Sequence, residues 1–173
     1  MIYIVRHGQT DSNLKNICMG KKDIPLNSMG ISQAEELKEE LIKIKFDKVF
    51  SSPLKRAIQT AKIITNCKIE TDIRLIERGM GQLEGKSNSE IKSIVNFMDE
   101  KEFGYGIEML GEFKKRIFDF FDETIKEYVG KNVLIVTHGG VSVLTRCYFE
   151  GEPKESKYSD YKLKNCQIIK YNN

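Results

Sequence analysis

The sequence predicts an α/β fold built on a mainly parallel sheet. Short apolar runs rich in β-branched residues alternate with segments whose apolar positions recur at helical spacing, and this alternation is the signature of strand–helix–strand units. No internal repeat, low-complexity segment or linker rich in proline or serine interrupts the alternation, so the chain reads as one domain over residues 1–173.

Residues 1–6 open with a short apolar run, Ile2-Tyr3-Ile4-Val5, suited to a strand buried on both faces. Ala34, Leu37, Leu41 and Ile44 then recur at helical spacing behind the capping candidate Ser28. Val49 and Phe50 close a second strand. Ser52-Pro53 reads as an N-cap followed by proline at the first helical position, with Leu54, Ala57, Ala61 and Ile64 as the apolar stripe of that helix. Residues 68–76 hold a short strand. Ser87 and Glu90 form a capping box ahead of Ile91, Ile94 and Val95. Leu110, Phe113, Ile117, Phe120, Thr124 and Tyr128 lie on one face of a longer helix that Gly130 stops. Val133-Leu134-Ile135-Val136 is the clearest buried strand, Gly139-Gly140 turns it into a helix through Phe149, and residues 166–171 add a last strand.

Composition narrows the function classes. With 173 residues, 40% hydrophobic and 31% charged, the chain can bury a full core without disulfides or metals. A net charge of +3, with both signs mixed along the chain, gives no argument for nucleic acid. Cys18, Cys67, Cys147 and Cys166 are scattered without a Cys-x-x-Cys pair, which excludes a zinc ribbon and a dithiol motif and suggests reduced, mostly buried thiols in a cytoplasmic protein. No apolar stretch approaches the roughly 20 residues that span a bilayer, and the opening run is too short for a signal-peptide core. Neither membrane insertion nor secretion is expected.

The chain has two histidines, His7 and His138. Each stands just after a strand and each precedes glycine, in Val5-Arg6-His7-Gly8 and Thr137-His138-Gly139-Gly140. Ligands of open α/β sheets bind where strands end and the chain turns into a helix. If the two strands are neighbours, both rings reach one crevice. Two histidines without a His-x-x-x-His spacing make a poor catalytic zinc site, so metal is the weaker reading and no cofactor is expected. Arg6 adjoins His7, and Arg56 falls in the first turn of the helix after Ser52-Pro53. Two guanidiniums and a protonated imidazole would neutralise a phosphoryl group, which carries about −1.5 to −2 charge. Backbone amides after Gly8 and Gly139 would add donors at helix N-termini. A neutral imidazole can then act as nucleophile, and an alkoxide leaving group needs an acid. Candidates come from Glu77 to Gly85, where a carboxyl group would need partial burial or a neighbouring negative charge to hold its proton. Gly81 to Ser87 mimics a phosphate-binding loop but is one residue short. Lys114-Lys115-Arg116 reads as a solvated helix face.

The run Arg6-His7-Gly8-Gln9-Thr10-Asp11-Ser12-Asn13 resembles the signature of the histidine phosphatase superfamily, in its phosphoglycerate-mutase-like branch. Asp23-Ile24-Pro25-Leu26, Gly30 with Gln33-Ala34, Ser51-Ser52-Pro53 with Arg56-Ala57, Gln59-Thr60-Ala61, the Glu77 to Gly85 stretch and Val136-Thr137-His138-Gly139-Gly140 follow the family in order. The resemblance implies a three-layer α/β/α fold, with His7 as the phosphorylated nucleophile. It makes Arg6, Arg56 and His138 the groups that hold phosphoryl oxygens, and Glu77 the proton donor and later base. Asn13, the amide of Gly139 and Thr10 would contribute to phosphate or substrate binding, and Glu84 would be structural. Residues 86–111 would form a short cover over the site, which suits a hydrolase better than a mutase that must shield its intermediate from water. The function expected is a metal-independent phosphomonoesterase of the short bacterial or α-ribazole phosphatase type, acting on a small phosphorylated metabolite. A phosphoglycerate mutase is the alternative, and a catalytically dead phosphate-binding module is a third reading. The sequence leaves the oligomeric state open.

Overall fold

The computed structural model describes residues 1–96 and 104–172. In chain order its elements are β1 (Ile2–Arg6), α1 (Asp11–Leu14), α2 (Ser28–Leu41), β2 (Lys48–Ser51), α3 (Lys55–Ile64), β3 (Ile69–Thr71), α4 (Asn88–Ile94), α5 (Leu110–Glu127), β4 (Val133–Thr137), α6 (Gly139–Glu150) and β5 (Ile168–Tyr171). The strands form one sheet in the order β3-β2-β4-β1-β5, parallel throughout except for β5 at the edge.

Alternation along each central strand sends successive side chains to opposite faces. Ile2, Ile4, Val133 and Ile135 face one side, where Phe113, Ile117 and Phe120 of α5 and Val141 and Leu144 of α6 cover them. Tyr3, Val5, Leu134 and Val136 face the other, against Ala34, Leu37 and Leu41 of α2 and Ala57, Ala61 and Ile64 of α3. The result is the expected three-layer α/β/α arrangement. Each fully buried Leu, Ile or Phe in these layers contributes roughly 1.5–3 kcal/mol. A smaller cluster of Met80, Leu83, Ile91 and Val95 seats α4 beside the sheet's carboxyl edge.

Register places the site. Arg6 of β1 lies opposite Thr137 of β4, and Ser51 of β2 lies opposite Val136. Three adjacent parallel strands therefore end level, delivering His7, His138 and Ser52 side by side.

Local details differ from the sequence expectations in a few places. The α2 N-cap is Asn27, whose Oδ1 accepts the Gly30 amide at 2.9 Å, one residue ahead of Ser28. α3 starts at Lys55 rather than at Pro53, with Leu54 as a cap that makes no side-chain bond. The Ser52 hydroxyl faces His138 Nε2 at 2.7 Å. All four cysteines are unpaired, but only Cys147 is buried; Cys67 is exposed and the others are half-buried. No described helix is long and apolar enough to cross a membrane.

Candidate active site

His7 follows β1 immediately and is 1% exposed. Its backbone is pinned from two sides, its amide donating to Thr137 O at 2.9 Å and its carbonyl accepting Asn165 Nδ2 at 2.9 Å. Nδ1 sits 2.7 Å from the Gly8 carbonyl. A carbonyl only accepts, so Nδ1 carries the proton and Nε2 holds the lone pair. Burial, then Arg56 and Arg6, push the ring's pKa well below its ordinary 6.5, against a smaller opposing effect of the Gly8 carbonyl. His7 is therefore a neutral imidazole with Nε2 available to attack.

The turn that carries His7 is packed backbone to backbone against α2. A Cβ on Gly30 would stand 2.1 Å from Gln9 O, and one on Gly8 would stand 2.4 Å from Gly30 O. Only glycine fits at these two positions. The Gly8 amide donates to Thr60 Oγ1 at 3.0 Å, so it is committed within the protein.

His138 is fully buried, its ring centroid 5.2 Å from that of His7 with 61° between the planes. Its Nε2 lies 2.7 Å from Ser52 Oγ. When the Ser52 hydroxyl donates to Nε2, Nδ1 keeps the proton and has no acceptor. Burial first, then Arg56, His7 and Arg6, lower the His138 pKa well below 6.5. The protonated imidazole expected from the sequence does not arise from the protein's own charges; the ring is neutral, and in the tautomer that accepts from Ser52 its Nδ1–H is a donor.

The guanidiniums are held by carbonyl oxygens. Arg6 Nη1 donates to Leu163 O at 2.7 Å, while Arg56 donates to Lys22 O at 2.7 Å and Gly20 O at 3.0 Å. Burial lowers both pKa values from 12.5, with Glu77 opposing. Among the described residues, the buried side-chain polar atoms with no partner are Arg6 Nε, Arg56 Nε and His138 Nδ1. Buried donors are nearly always satisfied, and leaving one unmade costs about 1–3 kcal/mol. Arg6 and Arg56 line one cavity of about 620 Å³ together with His7, Glu77 and Gly139, and the His138 ring lies behind its wall, 5.2 Å from the His7 ring between centroids. An oxyanion such as a phosphoryl group supplies the acceptors that these donors lack.

Glu77 is fixed at both oxygens, Oε1 accepting the Arg78 amide and Oε2 the Gly140 amide, each at 2.9 Å. Behind it, Arg116 donates to the carbonyls of Ile76 at 2.7 Å and Glu77 at 3.3 Å, and pairs with Glu108 at 2.7 Å. Arg116 is thus no part of a solvated face; it is 18% exposed and braces the Glu77 segment. Glu84 accepts the amides of Lys21 at 2.8 Å and Met80 at 3.1 Å, a structural position. Gly81–Leu83 is a 3₁₀ turn.

Asn13 lines the cavity, with Oδ1 held by the amide and hydroxyl of Thr10, both at 3.1 Å. Thr10 itself is fully buried as the N-cap of α1 and is not among the lining residues. The Gly139 amide opens α6, whereas that of Gly140 is committed to Glu77. Three residues escaped the sequence reading. Ser52 orients His138, Asn165 ties His7 O to Asn13 Oδ1 at 3.3 Å, and Lys162 lines the cavity. Among the described residues, no group of three or more His, Cys, Asp or Glu is placed to hold a metal ion.

The comparisons with known proteins agree with this geometry. The family model of the histidine phosphatase superfamily (branch 1) matches residues 2–172. A Schizosaccharomyces pombe protein named "Probable phosphatase" is 33% identical over 177 residues, which cover 99% of this chain and 82% of the relative. A 2,3-bisphosphoglycerate-dependent phosphoglycerate mutase of Cytophaga hutchinsonii is 35% identical over 153 residues, 80% of this chain and 72% of the relative. The crystal structure of a phosphoserine phosphatase mutant from Entamoeba histolytica in complex with phosphoserine superposes with a TM-score of 0.83 at 26% identity, covering 96% of this chain and 87% of that one. With a family match along nearly its whole length and a buried His7–His138 pair at the level ends of three parallel strands, the chain belongs to the histidine phosphatase superfamily, branch 1, and is a phosphohydrolase of that superfamily.

Proposed function

We propose that the protein hydrolyses phosphomonoesters of small metabolites through a phosphohistidine on His7. The supporting observation is the set of unpartnered buried donors, Arg6 Nε, Arg56 Nε and His138 Nδ1, around a neutral imidazole whose Nε2 has no partner among the described residues. His7 Nε2 attacks phosphorus while the ester P–O bond breaks, and Glu77 protonates the departing alkoxide. Glu77 then takes a proton from water, which attacks phosphorus and releases inorganic phosphate with neutral His7 restored. Arg6, Arg56, His138, Asn13 and the Gly139 amide carry the charge that builds on the equatorial oxygens. Thr10 acts indirectly, by orienting Asn13.

In this reading residues 1–173 are a single domain and residues 86–111 cover its site. α4 supplies Asn88, Ile91 and Lys92 to the cavity wall, while residues 97–103 of the cover lie outside the described residues. Unpaired thiols suit a cytoplasmic setting. Incubation with 3-phosphoglycerate and other phosphomonoesters, in buffer containing a chelator, tests the proposal. Stoichiometric release of inorganic phosphate supports a hydrolase. Exchange of label between 2- and 3-phosphoglycerate without phosphate release would make the protein a mutase.

A further inference from the structure

The cavity holds more positive charge than one phosphoryl group uses. Besides Arg6 and Arg56, Lys162, Lys92 and Arg78 line it, Arg78 with its Nε held by the Glu108 carbonyl at 2.8 Å, and Glu77 is the sole carboxylate among its described lining residues. Lys162 reaches the site because residue 139 is glycine: a Cβ there would stand 2.7 Å from Lys162 Cε and 3.5 Å from the Arg6 guanidinium carbon. The lysine stem therefore crosses the turn after His138, on the side of the cup where Arg6 sits. Lys162 itself is exposed at the rim. The protein packed around its ammonium, then Arg6, still lower its pKa from the ordinary lysine value, while Glu77 opposes them and Lys92 adds a further lowering. Among the described residues no carboxylate pairs with Lys162 or Lys92, although surface lysines elsewhere in the fold, such as Lys48 and Lys115, do find acidic partners. Two unpaired ammonium groups on the wall of one cavity repel each other, and an anion between them relieves that repulsion.

Resting on the phosphomonoesterase reading above, we propose that Lys162, seconded by Lys92, forms a second anion subsite beside the phosphoryl cup, so that the preferred substrate is a phosphomonoester carrying a further carboxylate or phosphate. The same two cations disfavour a substrate whose second group is an ammonium. Lys162 has no part in the bond-breaking steps; it selects the leaving group.

The experiment compares kcat/KM for matched esters in the full-length protein. 3-Phosphoglycerate against glycerol 3-phosphate reads a carboxylate, and fructose 1,6-bisphosphate against fructose 6-phosphate reads a second phosphate. The wild type is expected to favour one doubly anionic ester over its partner at least tenfold, and 3-phosphoglycerate over O-phosphoserine. Lys162→Met keeps the stem over Gly139 and removes the charge. It should lower the preferred ratio at least fivefold through KM, and Lys162→Arg should restore most of it. The pair whose ratio falls identifies the anion. An equal loss on every ester would put Lys162 on the phosphoryl group and overturn the subsite, as would a wild type indifferent to the second charge. Absence of phosphate release from every ester in the wild type would instead overturn the phosphatase reading, and the subsite with it.

Discussion

Glu77 Oε2 accepts the amide of Gly140 at 2.9 Å, which fastens the proposed proton donor to the turn that carries His138. The proposed acid and the turn of the imidazole proposed to hold phosphate are therefore positioned by one hydrogen bond between distant parts of the chain. Its partner at Oε1, the Arg78 amide, fixes the carboxylate plane from the other side. Proton transfer demands placement of this kind, because a donor contributes only when it lies within hydrogen-bond reach of the leaving oxygen.

Glu77→Gln keeps an acceptor for one of these amides and removes the transferable proton. It should lower kcat/KM for alkyl phosphates by about 10²–10⁴, and by much less for p-nitrophenyl phosphate, whose leaving group needs no proton. Steady-state kinetics on the two substrate types read the difference. Equal losses would remove Glu77 from the acid role.

Ser52→Ala deletes the partner of His138 Nε2 at 2.7 Å and leaves a buried ring nitrogen without a bond. We expect a stability loss of about 1–3 kcal/mol and a fall in kcat/KM of roughly tenfold, as His138 Nδ1 loses its fixed direction. Urea denaturation and phosphate-release kinetics on the same preparation check both. Ser51→Ala is the control, since the Ser51 hydroxyl bonds only the Ser52 carbonyl.

Stability should depend on pH through the two histidines. Both have folded-state pKa values held well below 6.5, chiefly by burial. As pH falls from 6.5 toward those lowered values, the unfolded chain binds protons that the folded one refuses, so unfolding becomes easier. The contribution is complete above about pH 6.5 and is lost progressively below it. Urea midpoints between pH 5 and 7.5 should rise with pH and level off, and the double variant His7→Asn, His138→Asn should show a flatter profile. An unchanged slope in that variant would assign the effect elsewhere.

Arg116→Met removes the brace of the Glu77 segment, takes a donor from the backbone carbonyls of Arg74, Ile76 and Glu77, and leaves Glu108 with only Lys21 and the Gly79 amide. The expected cost is about 2–3 kcal/mol, because the pair is largely sheltered from water. Lys115→Met, by contrast, breaks an exposed pair with Asp119 and should cost less than about 1 kcal/mol. Denaturant midpoints of the two variants make the comparison direct.

Much of the fold was legible because it rests on periodicity. The stripe from Leu110 to Thr124 and the run Val133–Val136 state their partners by hydrophobic spacing alone. The two His-Gly strand ends were legible for the same reason, since each sits beyond a buried run. Residues whose roles depend on tertiary contact were not. Ser52 looked like a helix cap, a local role that Ser-Pro suits, and its partner is 86 positions away. Arg116 shares a basic triplet with two lysines, and only the packing of α5 against the Glu77 segment turns it inward. Asn165 and Lys162 lie in an irregular stretch before β5, where no periodicity points anywhere.

The central claim is that His7 takes the phosphoryl group. Rapid mixing with a ³²P-labelled monoester, followed by alkaline quench and peptide mapping, tests it most directly. The account predicts a phosphate that is stable in base and labile in acid on the peptide containing His7, absent in His7→Asn, whose turnover falls to background. Label on any other residue, or turnover by His7→Asn at a rate near that of the wild type, would contradict it.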